Sequence, residues 1–222
     1  NASVSLSGGT VEVRVNSPSG NILVAQKLEA AGQGGFFGQR ATVTAKLNTL
    51  GITGPQDLYF VYREPESELD PAVIETAAKA DVALIFVGTD QNTGREEADR
   101  FSIALPGNQL QLIKEVAAVN PNTIVIMQTM GMVEVEDFKN DPNIPAIIYT
   151  GYNGQAQGAA MAKILFGEVN PGGKTAVTWY KSVNDLPDFN DYNLRGQNGS
   201  NGRTYWYFDK EVSYEFGFGL SY

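Results

Sequence analysis

The sequence predicts an α/β protein with a mainly parallel sheet, preceded by an antiparallel β segment. Three observations carry that expectation. Apolar and polar residues alternate with a period of two from Ser3 to about Arg63, a polar run Glu64-Pro65-Glu66-Ser67-Glu68 then interrupts the pattern, and beyond it short unbroken apolar runs alternate with stretches of helical spacing.

In the first stretch the alternating residues are Val4 and Leu6, then Val11, Val13 and Val15, Ile22 and Val24, Val43, Ala45 and Leu47, and Leu58, Phe60 and Tyr62. Successive side chains of a strand point to opposite faces, so this is the signature of about five strands with one buried face each. The clusters Gly8-Gly9, Ser17-Pro18-Ser19-Gly20, Gly32-Gln33-Gly34-Gly35 and Gly54-Pro55 supply turns between them. The polar run reads as a linker and places the domains at 1–65 and 66–222. Past it, Val82 to Val87, Ile124 to Met127 and Pro145 to Tyr149 are fully apolar, as expected of parallel strands covered on both faces. Helices are predicted over Pro71 to Lys79, over Gly107 to Val119 with Leu110, Ile113, Val116 and Ala117 on one face, and over Gly154 to Phe166, where Gly167 provides the stop. Strands and helices in that order form βαβ units. After Gly167 a strand is expected at Thr175 to Tyr180, followed by an ordered loop from Asp188 to Tyr207. The tail aromatics Tyr192, Tyr205, Trp206, Tyr207, Phe208, Tyr214, Phe216, Phe218 and Tyr222 are expected to pack on the sheet.

Composition narrows the function. The 222 residues are 42% hydrophobic and 18% charged, enough apolar material for a sizeable core. Sixteen basic against 25 acidic side chains give a net charge of −9 with no basic stripe, which argues against nucleic acid as a partner. With neither Cys nor His in the chain, disulfides, thiolate nucleophiles, Ser-His-Asp machinery and ordinary transition-metal sites drop out. Acid–base chemistry then falls to carboxylates, Lys or Tyr. No apolar stretch reaches the ~20 residues of a membrane-spanning helix, so no membrane role is expected. The opening Asn1-Ala2-Ser3 lacks a basic-apolar leader, as in a processed or excised piece. Asn1-Ala2-Ser3 and Asn198-Gly199-Ser200 match the N-glycosylation triplet, and a secreted or periplasmic setting is expected.

In open parallel sheets ligands bind beyond the carboxyl ends of the strands, so the loop after Gly88 is the first site candidate. It reads Thr89-Asp90-Gln91-Asn92-Thr93-Gly94-Arg95-Glu96-Glu97-Ala98-Asp99-Arg100, with four carboxylates and two guanidiniums. Its composition fits a solvated surface loop with structural ion pairs around Asp99-Arg100 as well as it fits a catalytic loop.

Over about residues 69–222 the chain resembles the family 3 glycoside hydrolases, in particular their β-xylosidase and β-glucosidase members. The motifs are Ala80-Asp81-Val82 with Gly88, then Glu96-Glu97-Ala98-Asp99-Arg100, then Leu105-Pro106-Gly107-Asn108-Gln109. Further on come Tyr152-Asn153-Gly154-Gln155 with Gly158, Gly167-Glu168-Val169-Asn170-Pro171-Gly172-Gly173-Lys174, Thr178-Trp179, Gly202-Arg203-Thr204-Tyr205 and Phe216-Gly217-Phe218-Gly219-Leu220-Ser221-Tyr222. The resemblance implies a six-stranded α/β sandwich domain of an exo-acting, retaining enzyme that hydrolyses terminal β-xylosyl or β-glucosyl residues, with β-linked oligosaccharides or glycosides as substrates. It further implies an Asp nucleophile on a (β/α)₈ barrel upstream and a general acid/base on this domain. The position preceding Gly-x-Asp-Arg in xylosidase-like members is Glu96 here, and Glu97 stands where the family has Gly, so Glu97 is the alternative. No metal or organic cofactor is implied. A (β/α)₈ barrel needs ~250 residues of its own and cannot fit in this chain. The partner carboxylate is therefore expected elsewhere in a precursor or on another chain, and this chain alone is expected to be inactive.

The segment from Gly8 to Tyr62 resembles the later half of a family 6 carbohydrate-binding module, a jelly-roll β-sandwich. A whole jelly roll has about eight strands, so the segment reads as a partial β-sandwich. The family's sugar-stacking Trp is missing, with Phe36-Phe37 near its place. Arg203 or a neighbouring aromatic stands either near a sugar pocket or in core packing. The rival function is a non-catalytic carbohydrate-binding or scaffold protein with a glycosidase-like fold. A nucleotide-binding domain is disfavoured because no glycine-rich phosphate loop links a strand to a helix.

Overall fold

The computed structural model describes residues 9–17, 20–28, 44–49, 51–63, 68–97, 100, 102–188, 190–196 and 202–221. The chain divides into two compact units, Asn1–Glu68 and Leu69–Tyr222.

The first unit holds an antiparallel sheet in which β1 (Gly9–Val15) lies between β2 (Ile22–Leu28) and β3 (Leu58–Arg63). The period of two is realised in β1: Val13 and Val15 are buried with Leu23, and Val24, Leu47 and Ile52 pack against them. Glu12 and Arg14 pair at 2.7 Å, and Arg14 Nη1 also donates to the Gly20 carbonyl. The turn into β2 requires glycine at Gly20, because a Cβ there would overlap the Val15 carbonyl oxygen. Residues 44–49, expected as part of a strand, form no strand, although the Asn48 N–H donates to the Leu23 carbonyl at 2.8 Å. Val4, Leu6, Val43, Phe36-Phe37 and both glycosylation triplets lie outside the described residues.

The second unit runs α1 (Pro71–Lys79), β4 (Ala83–Gly88), α2 (Gln109–Val119), β5 (Thr123–Gln128), β6 (Ala146–Tyr149) and α3 (Gln157–Leu165). All pairings in the sheet are parallel, in the order β4-β5-β6, with Ala83 opposite Thr123 and Ile124 opposite Ala146. The α/β class with a parallel sheet is therefore as the sequence predicts. Helix α1 begins at Asp70, whose carboxylate accepts from the Ala72 N–H at 2.9 Å, with Pro71 in the first turn where its missing donor costs nothing. At the end of α2 the buried Asn120 donates through Nδ2 to the carbonyls of Ala77 and Ala80 and accepts through Oδ1 from the Asn122 N–H, which locks the two helix ends together. The core comprises Ile85, Val87, Ile113, Val116, Val125 and Met127 with Val133, Val135, Phe138 and Trp179.

Coverage of the sheet departs from expectation at β4. Strand β5 is buried on both faces, with Val125 and Ile126 both fully enclosed. In β4 only Ala83, Ile85 and Val87 are buried; Leu84 and Phe86, on the other face, are 47% and 53% exposed. The unbroken apolar run signals two buried faces, and among the described residues one face of β4, that of Ala83, Ile85 and Val87, is buried.

The stretch expected as a strand at Thr175 to Tyr180 is reduced to a bridge between Trp179 and Tyr214, closed by the Trp179 N–H to the Tyr214 carbonyl at 2.8 Å. Trp179 is 1% exposed and meets Tyr149 and Tyr214 edge-on, at 5.1 and 5.8 Å between ring centroids, and Tyr214 stacks on Phe218 at 4.7 Å. This aromatic row joins the tail to β6, and Phe208 meets Tyr180 edge-on at 4.6 Å. Tyr192, Trp206 and Phe216 are 72%, 76% and 56% exposed. Among the described residues no helix is long and apolar enough to cross a membrane.

Candidate active site

The loop from Thr89 to Asn108 is fastened at its base by one residue of the Leu-Pro-Gly-Asn-Gln motif. Gln109, the first residue of α2, accepts from the Gly88 N–H through Oε1 at 2.6 Å and donates to the Gly88 carbonyl through Nε2 at 2.9 Å. A side-chain amide thereby completes the ladder at the carboxyl end of β4. Gly88 itself is packed so closely on the Gln128 carbonyl that a Cβ would collide with it.

Thr89 then ties the three strand ends together. Its N–H donates to the Gln128 carbonyl, its hydroxyl accepts from the Met130 N–H at 2.9 Å, and the same hydroxyl shares a 2.8 Å hydrogen bond with the Tyr152 hydroxyl. The loops after β4, β5 and β6 consequently converge on one place, where a parallel sheet offers its ligand crevice. The next residue, Asp90, builds a tight turn: its carboxylate accepts from the backbone N–H groups of Asn92 and Thr93 and from both their side chains. Burial acts on Asp90 in the opposite direction, yet these hydrogen bonds hold its carboxyl below the usual value of 3.8.

Glu96 and Glu97 follow at the exposed tip of this loop, and among the described residues neither carboxylate forms an ion pair or hydrogen bond. Neighbouring Arg95 turns back to the Gln91 carbonyl at 3.3 Å. Asp99 lies outside the described residues. Glu97 adopts φ +63°, the left-handed conformation that a side chain disfavours and glycine takes freely. That backbone is the physical reason for a glycine in the related motif. Replacing Glu97 by Gly is expected to raise stability by about 0.5–1 kcal/mol, read in a urea titration. If Glu96 is the acid/base, this variant keeps its activity.

Arg100 is placed differently from the expectation of structural ion pairs. It is half-buried, its Nη1 is shielded from solvent without a hydrogen-bond partner, and among the described residues no salt bridge engages it. Around it stand Gly131 from the loop after β5, Tyr149 at the end of β6 and Tyr152 from the loop after it. Burial lowers the proton affinity of its guanidinium, while the phenols of Tyr149 and Tyr152 act to raise it. Burial in turn raises the Tyr149 phenol, against the pull of Arg100. Neither tyrosine stood out in the sequence as a site residue; the available signal was that Tyr149 ends an apolar run and Tyr152 follows it. Arg203 stacks on the exposed Tyr192 ring at 4.3 Å and donates to the Asp191 carbonyl, and Trp206 is exposed, while Phe208 packs on Tyr180.

The model of the glycosyl hydrolase family 3 C-terminal domain matches residues 3–222, so the chain belongs to that family, and the match takes in the antiparallel unit as well as the parallel one. More particularly, it is 40% identical over 149 residues to beta-D-xylosidase 1 of Arabidopsis thaliana, covering 66% of this chain and 19% of that protein. It is 37% identical over 155 residues to the exo-1,4-beta-xylosidase of Aspergillus niger, covering 68% and 19%. The solved beta-glucosidase of Bifidobacterium adolescentis superposes with a TM-score of 0.58 at 37% identity, over 67% of this chain and 23% of that one. The chain spans about a fifth of the length of the curated relatives it matches.

Proposed function

We propose that this chain is the carboxy-terminal part of a retaining, exo-acting β-glycosidase for terminal β-xylosyl or β-glucosyl residues, and that Glu96 is its general acid/base. The observation that carries the reading is a carboxylate with no partner among the described residues on a loop whose base is fixed by Gln109 and Thr89 at the carboxyl ends of β4, β5 and β6. A structural carboxylate at such a place would be spent on a cation or a backbone donor, as Asp90 is.

Retention requires two carboxyl groups ~5 Å apart on either side of the scissile bond. Glu96 supplies the proton to the departing glycosidic oxygen and then, as carboxylate, takes a proton from the water that releases the sugar. The nucleophile belongs to the (β/α)₈ barrel contributed by the rest of the enzyme. The relatives' names favour a xyloside over a glucoside. Comparing wild type with Glu96→Gln on an aryl β-xyloside, with the barrel polypeptide present, tests the proposal, and the chain without the barrel serves as the inactive reference. Unchanged hydrolysis in the variant would transfer the role to Glu97 or favour a non-catalytic domain.

A further inference from the structure

The orphaned donor of Arg100 has no part in the acid/base reading. A guanidinium stays protonated at any ordinary pH, so its burial leaves a positive charge with open donors inside a chain of net charge −9. Among the described residues, those recorded round it, Gly131, Tyr149 and Tyr152, are neutral. Nη2 lies 3.6 Å from where a Cβ on Gly131 would be, so the missing side chain leaves a methyl-sized gap beside the fork. Met130 packs on Gly94, within 3.3 Å of where a Cβ would stand there, and the Arg100 backbone nitrogen lies 3.5 Å from the same point. Tyr152 is held by Thr89, and Tyr149 is held by Trp179. Among the described residues these surroundings offer the planar cation no carboxylate to pair with.

We infer that Arg100 is a receptor for a carboxylate, presented at the carboxyl ends of β4, β5 and β6. A planar fork with open N–H donors matches the two oxygens of that group, and burial makes the match stronger than it would be in water. Two sources share this chemistry: an acidic side chain of the polypeptide that completes the enzyme, and the acid group of a uronic-acid sugar. The inference goes beyond the hydrolytic reading and stands without it, because binding is measured on this chain alone.

The test is titration of the 222-residue chain with sodium acetate, sodium D-glucuronate and neutral D-xylose, with ionic strength held constant by sodium chloride. Arginine side-chain N–H resonances and tyrosine fluorescence are followed, in wild type, Arg100→Gln and Arg100→Lys. Saturable binding of acetate or glucuronate is expected, weakened on the order of tenfold or more in Arg100→Gln. Arg100→Lys keeps the charge but not the fork and is expected to weaken binding several-fold, which preserves the test if the Gln variant misfolds. Equal affinity for the two acids assigns the site to a protein side chain, and tenfold tighter glucuronate assigns it to an acidic sugar. No response above chloride, a xylose response equal to that of glucuronate, or wild-type affinity in either variant overturns the proposal.

Discussion

Glu96→Gln is expected to lower turnover of an unactivated aryl β-xyloside by about 10²–10⁴-fold in the assembled enzyme, the usual worth of a positioned general acid. The amide keeps the shape of the side chain and loses the transferable proton, so KM should move far less than kcat. The loss should shrink for leaving groups that depart without protonation, such as dinitrophenolate, since only the second step then needs the carboxylate as base. Added azide, which requires no deprotonation, should restore turnover and give a β-glycosyl azide. A drop that is the same for every leaving group and not rescued by azide would point to a structural role for Glu96.

Trp179→Ala should have the largest effect on stability, about 3–5 kcal/mol, the range for deleting a large buried aromatic. The indole is 1% exposed and touches β6 through Tyr149 on one side and the tail through Tyr214 on the other. Its removal detaches the tail from the sheet as well as opening a void. A loss of that size in a domain of this length lowers the melting temperature by roughly 10 °C. Trp179→Phe should cost much less, because Nε1 has no hydrogen-bond partner and no polar contact is forfeited. Circular dichroism during heating measures both variants. A Trp179→Ala protein that melts like wild type would show that the aromatic row does not hold the tail.

The parts of the fold that the sequence made legible are those with strong local periodicity. The apolar runs of β4, β5 and β6 and the helical spacing of α1, α2 and α3 announced themselves because each carries a regular local pattern of apolar residues. The segment around Trp179 did not, because its order comes from contacts with Tyr149 and Tyr214, 30 and 35 residues away in sequence, and a single bridge leaves no period. In the site, the acidic loop was visible from its composition and from the family motif. The roles of Gln109 and Thr89 were hidden, since a side chain that substitutes for backbone pairing looks like any other polar residue. Arg100 was visible as a charge, but its lack of a partner exists only in three dimensions.

The half-clad strand β4 has a consequence for handling the polypeptide. Leu84 and Phe86 form an adhesive strip beside an edge that no other described strand caps. Repulsion from a net charge of −9 is what keeps two such strips apart, and its reach shrinks from about 30 Å at 0.01 M salt to about 8 Å at 0.15 M. Dilute buffer should therefore keep the molecules dispersed, whereas ammonium sulfate, which both screens charge and strengthens apolar burial, should drive them to clump.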